Sequence, residues 1–214
     1  MKNLNGKRFA YALFVLFIIG CLVVGLITGA TISDFESAVK VAYKSLGLIV
    51  LIATFFIAHA WRWRIFRGWL VPFPDLGGTW EGTLQTTWSD PQTGLVPPPI
   101  TTILTIRQSF IRISCVMRTE QMTSRSFMAD FWLEPDEQIR NLGYSYHSSP
   151  IATVRDHSAP HDGTAIFELV GSPVTKLKGS YWTGRKTTGT VELTFRTAAR
   201  LDDFPDDLIV EPTP

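Results

Sequence analysis

Cysteine is scarce, with only Cys21 and Cys115 among 214 residues. Two cysteines make no disulfide framework, and here one lies in an apolar run and the other in a strand-like segment, so a bond between them would join a membrane segment to a soluble domain. Both read as free thiols, which places the folded part on the reducing side of a membrane. Charge is also sparse, at 18% of residues, where about 25% is usual for soluble domains. Residues 1–70 carry eight Lys/Arg against two acids, residues 71–200 carry twelve of each sign, and residues 201–214 carry five acids and no base. A binder of DNA or RNA polymers needs a basic stripe on its folded domain, and the neutral middle segment argues against one. A small anion held by a few aimed cations remains compatible with it.

Nucleophile constellations, metal-ligand spacings and phosphate loops are missing as well. Gly77-Gly78 precedes a strand and not a helix, so it is no dinucleotide fingerprint. Asp156, His157, His161 and Asp162 form a polar His-Asp loop without cysteine, the composition of a solvated loop more than of a zinc site. With no acid/base pair, the sequence supports neither an enzyme nor a cofactor.

Two long apolar runs are present. Phe9 to Ser33 holds no charge, and a span over about 9–31 exceeds the roughly 20 helical residues needed to cross a hydrocarbon core and the 7–15 of a signal-peptide h-region. Ser45 to Trp61 is a second uncharged run, reaching a span of about 44–63 with Tyr43 and Trp63 at the interfaces. Lys2, Lys7 and Arg8 precede the first span and Arg62, Arg64 and Arg67 follow the second, so the positive-inside rule puts both termini in the cytoplasm of a two-pass inner-membrane protein. Cys21, Gly25 and Gly29 recur every four residues, a small-residue ridge that suits helix packing in lipid.

The chain then divides into a membrane region over 1–70, a Pro-stiffened linker over 71–75, a folded domain over 76–200 and an acidic tail over 201–214 expected to be disordered. From Leu76 to Arg200 no helical period exceeds two turns. Alternation with β-branched and aromatic residues instead marks eight strands, Thr79–Trp88, Ile100–Arg107, Phe110–Thr119, Ser124–Glu134, Ile139–His147, Thr164–Val170, Leu177–Thr183 and Thr188–Arg196. Hairpin-length gaps make this an antiparallel meander with one buried and one wet face. Two long free edges would invite aggregation, and closure removes them. The fold expected is thus a two-helix transmembrane hairpin followed by an all-β domain, a small eight-stranded antiparallel meander barrel with room for one small ligand, preferred over a two-sheet sandwich of the same strands.

Aromatics interleaved with cations are the strongest chemical signal. Tyr181-Trp182-Thr183-Gly184-Arg185-Lys186-Thr187 puts two rings at a strand end and two cations in a hydroxyl-rich turn. Tyr144 and Tyr146 share one strand face, Trp80 opens the first strand and Arg107 closes the second. Rings stack on bases and cations meet phosphates, so these eight residues are the candidate ligand contacts. Trp80 also reads as a barrel plug, Tyr144 and Tyr181 as core, and Arg185 with Lys186 as a solvated turn.

Two N-terminal spans, the segment Asp75-Leu76-Gly77-Gly78-Thr79-Trp80-Glu81-Gly82-Thr83-Leu84 and the later Lys178-Gly179-Ser180-Tyr181-Trp182-Thr183-Gly184-Arg185 resemble the two-helix β-barrel effectors of bacterial cyclic-oligonucleotide-based anti-phage signalling, CBASS. The resemblance implies a sensor, STING-like in role, for a cyclic dinucleotide made by a partner nucleotidyltransferase. It implies further that binding promotes homo-oligomers, which disrupt the lipid bilayer of the inner membrane and kill the cell. The Gly-x-Trp element also looks like lipocalins, so a membrane-tethered carrier of an apolar ligand is the alternative; a structural module binding protein through its rim is another.

Overall fold

The computed structural model describes residues 6–29, 35–155 and 158–209. It divides into two compact units, Met1–Phe73 and Pro74–Pro214.

The first unit holds helices α1 (Gly6–Thr28) and α2 (Phe35–Ala58), both long and apolar enough to cross a membrane. At 1.5 Å per residue each is about 35 Å long. Gly29, at φ 62°, ends α1 in the left-handed conformation that glycine adopts without strain. Helix α2 begins nine residues before the expected span because its polar first turns are still helical, supported by a 2.6 Å Glu36–Lys40 ion pair one turn apart. It stops at Ala58, and short 3-10 turns over Ala60–Arg62 and Arg64–Phe66 follow. Trp63, Ile65 and Trp69 are exposed there among Arg62, Arg64 and Arg67, the composition of an interfacial belt.

The two helices pack through a position other than the small-residue ridge. Gly20 is the buried residue of α1, and a methyl placed on it would touch Ser45 Cβ of α2 at 3.6 Å. A methyl on Gly25 would meet nothing within 4 Å, Cys21 is half-buried, and Gly29 lies beyond the helix. Cys21, Gly25 and Gly29 therefore do not form the contact between α1 and α2.

The second unit contains strands β1 (Gly78–Thr86), β2 (Ile100–Gln108), β3 (Ile113–Arg118), β4 (Met122–Glu134), β5 (Ile139–Pro150), β6 (His161–Val170), β7 (Lys176–Thr183) and β8 (Thr188–Thr197). Each pairs antiparallel with its sequence neighbour, and β1 pairs with β8 to close the barrel. All eight expected strands are present. β3 is four residues shorter than expected, whereas β5 and β6 each run three residues further, with Ser148 opposite His161, so their connecting loop is shorter than expected. Closure of so small a barrel bends the strands hard: a Cβ on Gly82 would collide with the Glu192 carbonyl, and one on Gly179 with that of Ile166.

Inward-facing residues divide the barrel in two. Towards the end where the chain enters, Trp80, Leu104, Ile106, Cys115, Leu142, Phe167, Leu177 and Leu193 form a dry core. Residues 199–208 then cross the outside as a strap. Thr79 Oγ1 donates to Ala199 O at 2.8 Å, Thr105 Oγ1 donates to Leu201 O at 2.9 Å, and Asp202 and Asp207 pair with Arg107 and Arg196. In consequence β2 is buried on both faces from Thr102 to Ile106. The tail expected to be disordered is ordered as far as Ile209, because its acids find cations far away in sequence; residues 210–214 lie outside the described residues.

Candidate ligand site

The other half of the barrel is hollow. A cavity of about 730 Å³ opens at the end bearing the β1–β2, β3–β4, β5–β6 and β7–β8 connections. Its wall follows from alternation, since Tyr144, Tyr146 and Ser148 on β5, Tyr181 and Thr183 on β7, Ala165 on β6 and Val191 on β8 all lie at inward positions.

Two glycines let the tyrosine rings lie against the wall. A Cβ on Gly163, opposite Tyr146 in the β5–β6 ladder, would lie 2.6 Å from Tyr146 Cζ. One on Gly189, opposite Tyr181, would lie 2.6 Å from Tyr181 Cε1. Tyr144 stacks at 6.0 Å on Phe167 and is tilted against Tyr146 at 5.7 Å, which places it at the floor where cavity meets core. Burial, then Tyr181, push the Tyr146 hydroxyl up to about 12 against the opposing pull of Arg185. The Tyr144 hydroxyl is driven above its ordinary value by burial, with Cys115 and Tyr146 adding to it, so both are neutral phenols at physiological pH.

Small hydroxyls complete the lining. Ser124 and Ser148 share a 2.8 Å hydrogen bond, and Thr183 and Thr187 one of 2.6 Å. The described lining contains one permanent cation, Arg185, one carboxylate, Glu120, and one histidine, His161. Arg185 Nη1 donates to Ser158 Oγ at 3.1 Å and to Ala159 O at 3.4 Å. His161 Nδ1 lies 3.1 Å from the same Ala159 oxygen.

Of the eight candidate contacts, Tyr144, Tyr146, Tyr181 and Arg185 converge on the cavity and four do not. Trp80 is 1% exposed in the dry core, its Nε1 donating to Leu76 O at 2.9 Å and its ring edge-on to Phe195, so it is the plug. Trp182 follows inward Tyr181 and must face out, where it is 45% exposed. Arg107 likewise follows inward Ile106 and pairs on the outside with Asp202 at 2.9 Å. Lys186 sits in the β7–β8 turn at φ 63° and does not line the cavity. Ser124, Ser148 and Met117 also line the cavity without having been singled out as ligand contacts, and Thr183 and Thr187 of the hydroxyl-rich turn and His161 of the His-Asp loop, none of them among the eight candidates, join them. Among the described residues no group of three or more His, Cys, Asp or Glu side chains could hold a metal ion; Asp156 and His157 lie outside them.

Comparison with known proteins places this barrel. Residues 71–195, more than half of the chain, match the family described as Cap15, cyclic dinucleotide receptor domain. The chain belongs to the Cap15 family. CD-NTase-associated protein 15 of Staphylococcus schleiferi is 30% identical over 133 residues, an alignment covering 62% of this chain and 66% of that protein. The chain thus aligns with just under two thirds of that relative's length. The Cap15 match begins just before the barrel unit and ends within β8, so it takes in the cavity but not the strap or the membrane helices.

Proposed function

We propose that this chain is a membrane-anchored effector of CBASS whose barrel binds one cyclic dinucleotide in the cavity described above. The observation that carries the reading is the hollow half of a Cap15 receptor domain, walled by Tyr144, Tyr146 and Tyr181 and headed by Arg185. Its volume of about 730 Å³ is in the range of small-molecule sites. The rings offer faces to two bases, the Ser and Thr hydroxyls can meet ribose or phosphate oxygens, and the guanidinium can meet a phosphate. A carrier of an apolar ligand would need a lining poorer in hydroxyl and charge.

The rest of the reading extends this. The name of the Staphylococcus relative points to a nucleotidyltransferase as the source of the messenger. Two spans with basic flanks would hold the barrel on the cytoplasmic side of the inner membrane, with both termini inside. Ligand binding would favour self-association, and clustered spans would disrupt the bilayer and kill the cell. Such coupling requires that the ligand bind the associated state more tightly than the dispersed one.

The test is a thermal shift of the full chain in detergent against cyclic di-GMP, cyclic di-AMP, a linear dinucleotide and a fatty acid. A cyclic dinucleotide at a hundred times its Kd should add about 2.7 kcal/mol, a rise of several degrees. A shift with the fatty acid alone would overturn the reading in favour of a carrier. Dye release from liposomes holding the chain should depend on the same messenger; release that ignores it would remove the effector role.

A further inference from the structure

A cyclic dinucleotide carries two phosphodiester charges, whereas the described lining supplies one guanidinium and one carboxylate. With Glu120 opposing Arg185, the fixed charge of that lining is zero. Placing a dianion in a partly dehydrated cup without further compensation is unfavourable. Glu120 belongs to the β3–β4 turn and Arg185 to the β7–β8 turn.

The group able to change this balance is beside Arg185. His161 and Arg185 converge on one oxygen, that of Ala159, at 3.1 and 3.4 Å. When His161 donates from Nδ1 to this carbonyl, Nε2 is the nitrogen left for a ligand. We propose that His161 is the second cation of the site, taking up a proton as a dianionic ligand binds, so that Arg185 and His161 together meet its two phosphates. This rests on the cyclic dinucleotide reading of the cavity.

The charges around His161 agree with such a role. Burial is the main influence that holds the ring below its ordinary range, and Arg185 and His147 add to it. Its hydrogen bond to Ala159 and the charge of Asp162 act the other way. His147 and Asp162 are engaged with each other at 2.8 Å. His161 is therefore neutral near pH 7 before binding. A phosphate within contact distance favours the protonated ring, acting against the burial that holds it neutral. The proton comes from solvent and is released again with the ligand.

Titration calorimetry of the full chain in detergent tests this, with the tighter-binding of cyclic di-GMP and cyclic di-AMP as probe at pH 7, in buffers of low and high ionisation enthalpy. The expected dependence of heat on buffer corresponds to uptake of about half to one proton per ligand, with affinity falling about tenfold between pH 6 and pH 8. His161→Asn, whose amide can keep the bond to Ala159, should bind more weakly and lose both dependences. His161→Lys, with a fixed charge, should bind with affinity independent of pH, and His147→Asn should retain the proton uptake. Tight binding with no uptake, or uptake that survives in His161→Asn, overturns the assignment while leaving the site reading intact. Failure of every cyclic dinucleotide to bind overturns the site reading itself.

Discussion

The floor of the cavity contains a group whose removal should strengthen the protein. Tyr144 is 2% exposed and its hydroxyl is buried with no hydrogen-bond partner among the described residues. A buried polar group left in this state costs about 1–3 kcal/mol relative to its hydrated form. Tyr144→Phe removes the oxygen and keeps the ring on Phe167 and Tyr146. Against the gain stand a few dispersion contacts of about 0.1–0.2 kcal/mol each and an oxygen-sized void, about 0.4 kcal/mol at 24 cal/mol per Å³. The balance is a stabilisation of about 1 kcal/mol, or about 3 °C in Tm for a chain of this size. Heat and urea denaturation of the full chain in detergent, each with and without ligand, measure it. A loss of 1 kcal/mol or more in the empty protein would refute the reasoning, because it would mean that the hydroxyl has a partner such as a buried water. If instead the empty variant is stabilised but the shift produced by ligand shrinks, the hydroxyl is held unsatisfied in the empty cup and used in the full one.

Three further expectations follow from the same packing. Because Tyr146 titrates at about 12 in the fold and near 10 in an unfolded chain, its stabilisation is complete below pH 10 and lost as pH rises through 12. That is about 2–3 kcal/mol at 1.36 kcal/mol per unit, so urea midpoints should fall between pH 9 and 11.5 and fall less in Tyr146→Phe. Gly189→Ala puts a methyl against the Gln85 carbonyl and the Tyr181 ring, and should cost about 1–3 kcal/mol and weaken ligand binding together; an unchanged Tm would mean that the wall is not close-packed there. Truncation after Arg200 removes most of the strap over Ile103, which faces outward yet is 0% exposed, and re-exposing that side chain alone should cost about 1.5–3 kcal/mol in urea denaturation. A truncated chain as stable as the whole would show that the strap contributes only solubility.

What could be read in advance was whatever repeats locally. Alternation found all eight strands because each has one face that must be buried, and counting the strands led to closure. Alternation applied strictly would also have moved Trp182 and Arg107 off the ligand face, since each follows an inward residue. The aromatic-and-cation pattern instead favoured them by chemistry alone. The hydroxyls of Ser124 and Ser148 look like any exposed strand residue until pairing shows which end of the barrel they occupy. His161 lay within an expected loop, and its place at the mouth depends on the Ser148–His161 register. The tail looked disordered because its partners, Thr79, Thr105, Arg107 and Arg196, are not neighbours in sequence except for the last.

The division into a dry half and a hollow half also limits how a ligand could act at a distance. A core containing Trp80, Phe167 and Leu193 at 1% exposure or less has no spare volume, and close-packed interiors do not deform gradually. A bound messenger would therefore change the mouth and not the base, through the turn that carries Arg185, the turn that carries Glu120, and the proline-rich lip of Pro97 and Pro99. The strap is the element that joins this mouth to the outer wall, because Phe204 and Leu208 line the cavity while Asp202 and Asp207 hold to Arg107 and Arg196 outside. If ligand binding promotes association, the differential contacts that thermodynamics demands belong at this rim. Arg107→Glu and Arg196→Glu, which loosen the strap from the outer wall, should then alter the ligand dependence of association in sizing experiments at saturating ligand. Equal association by wild type and both variants would locate the coupling elsewhere.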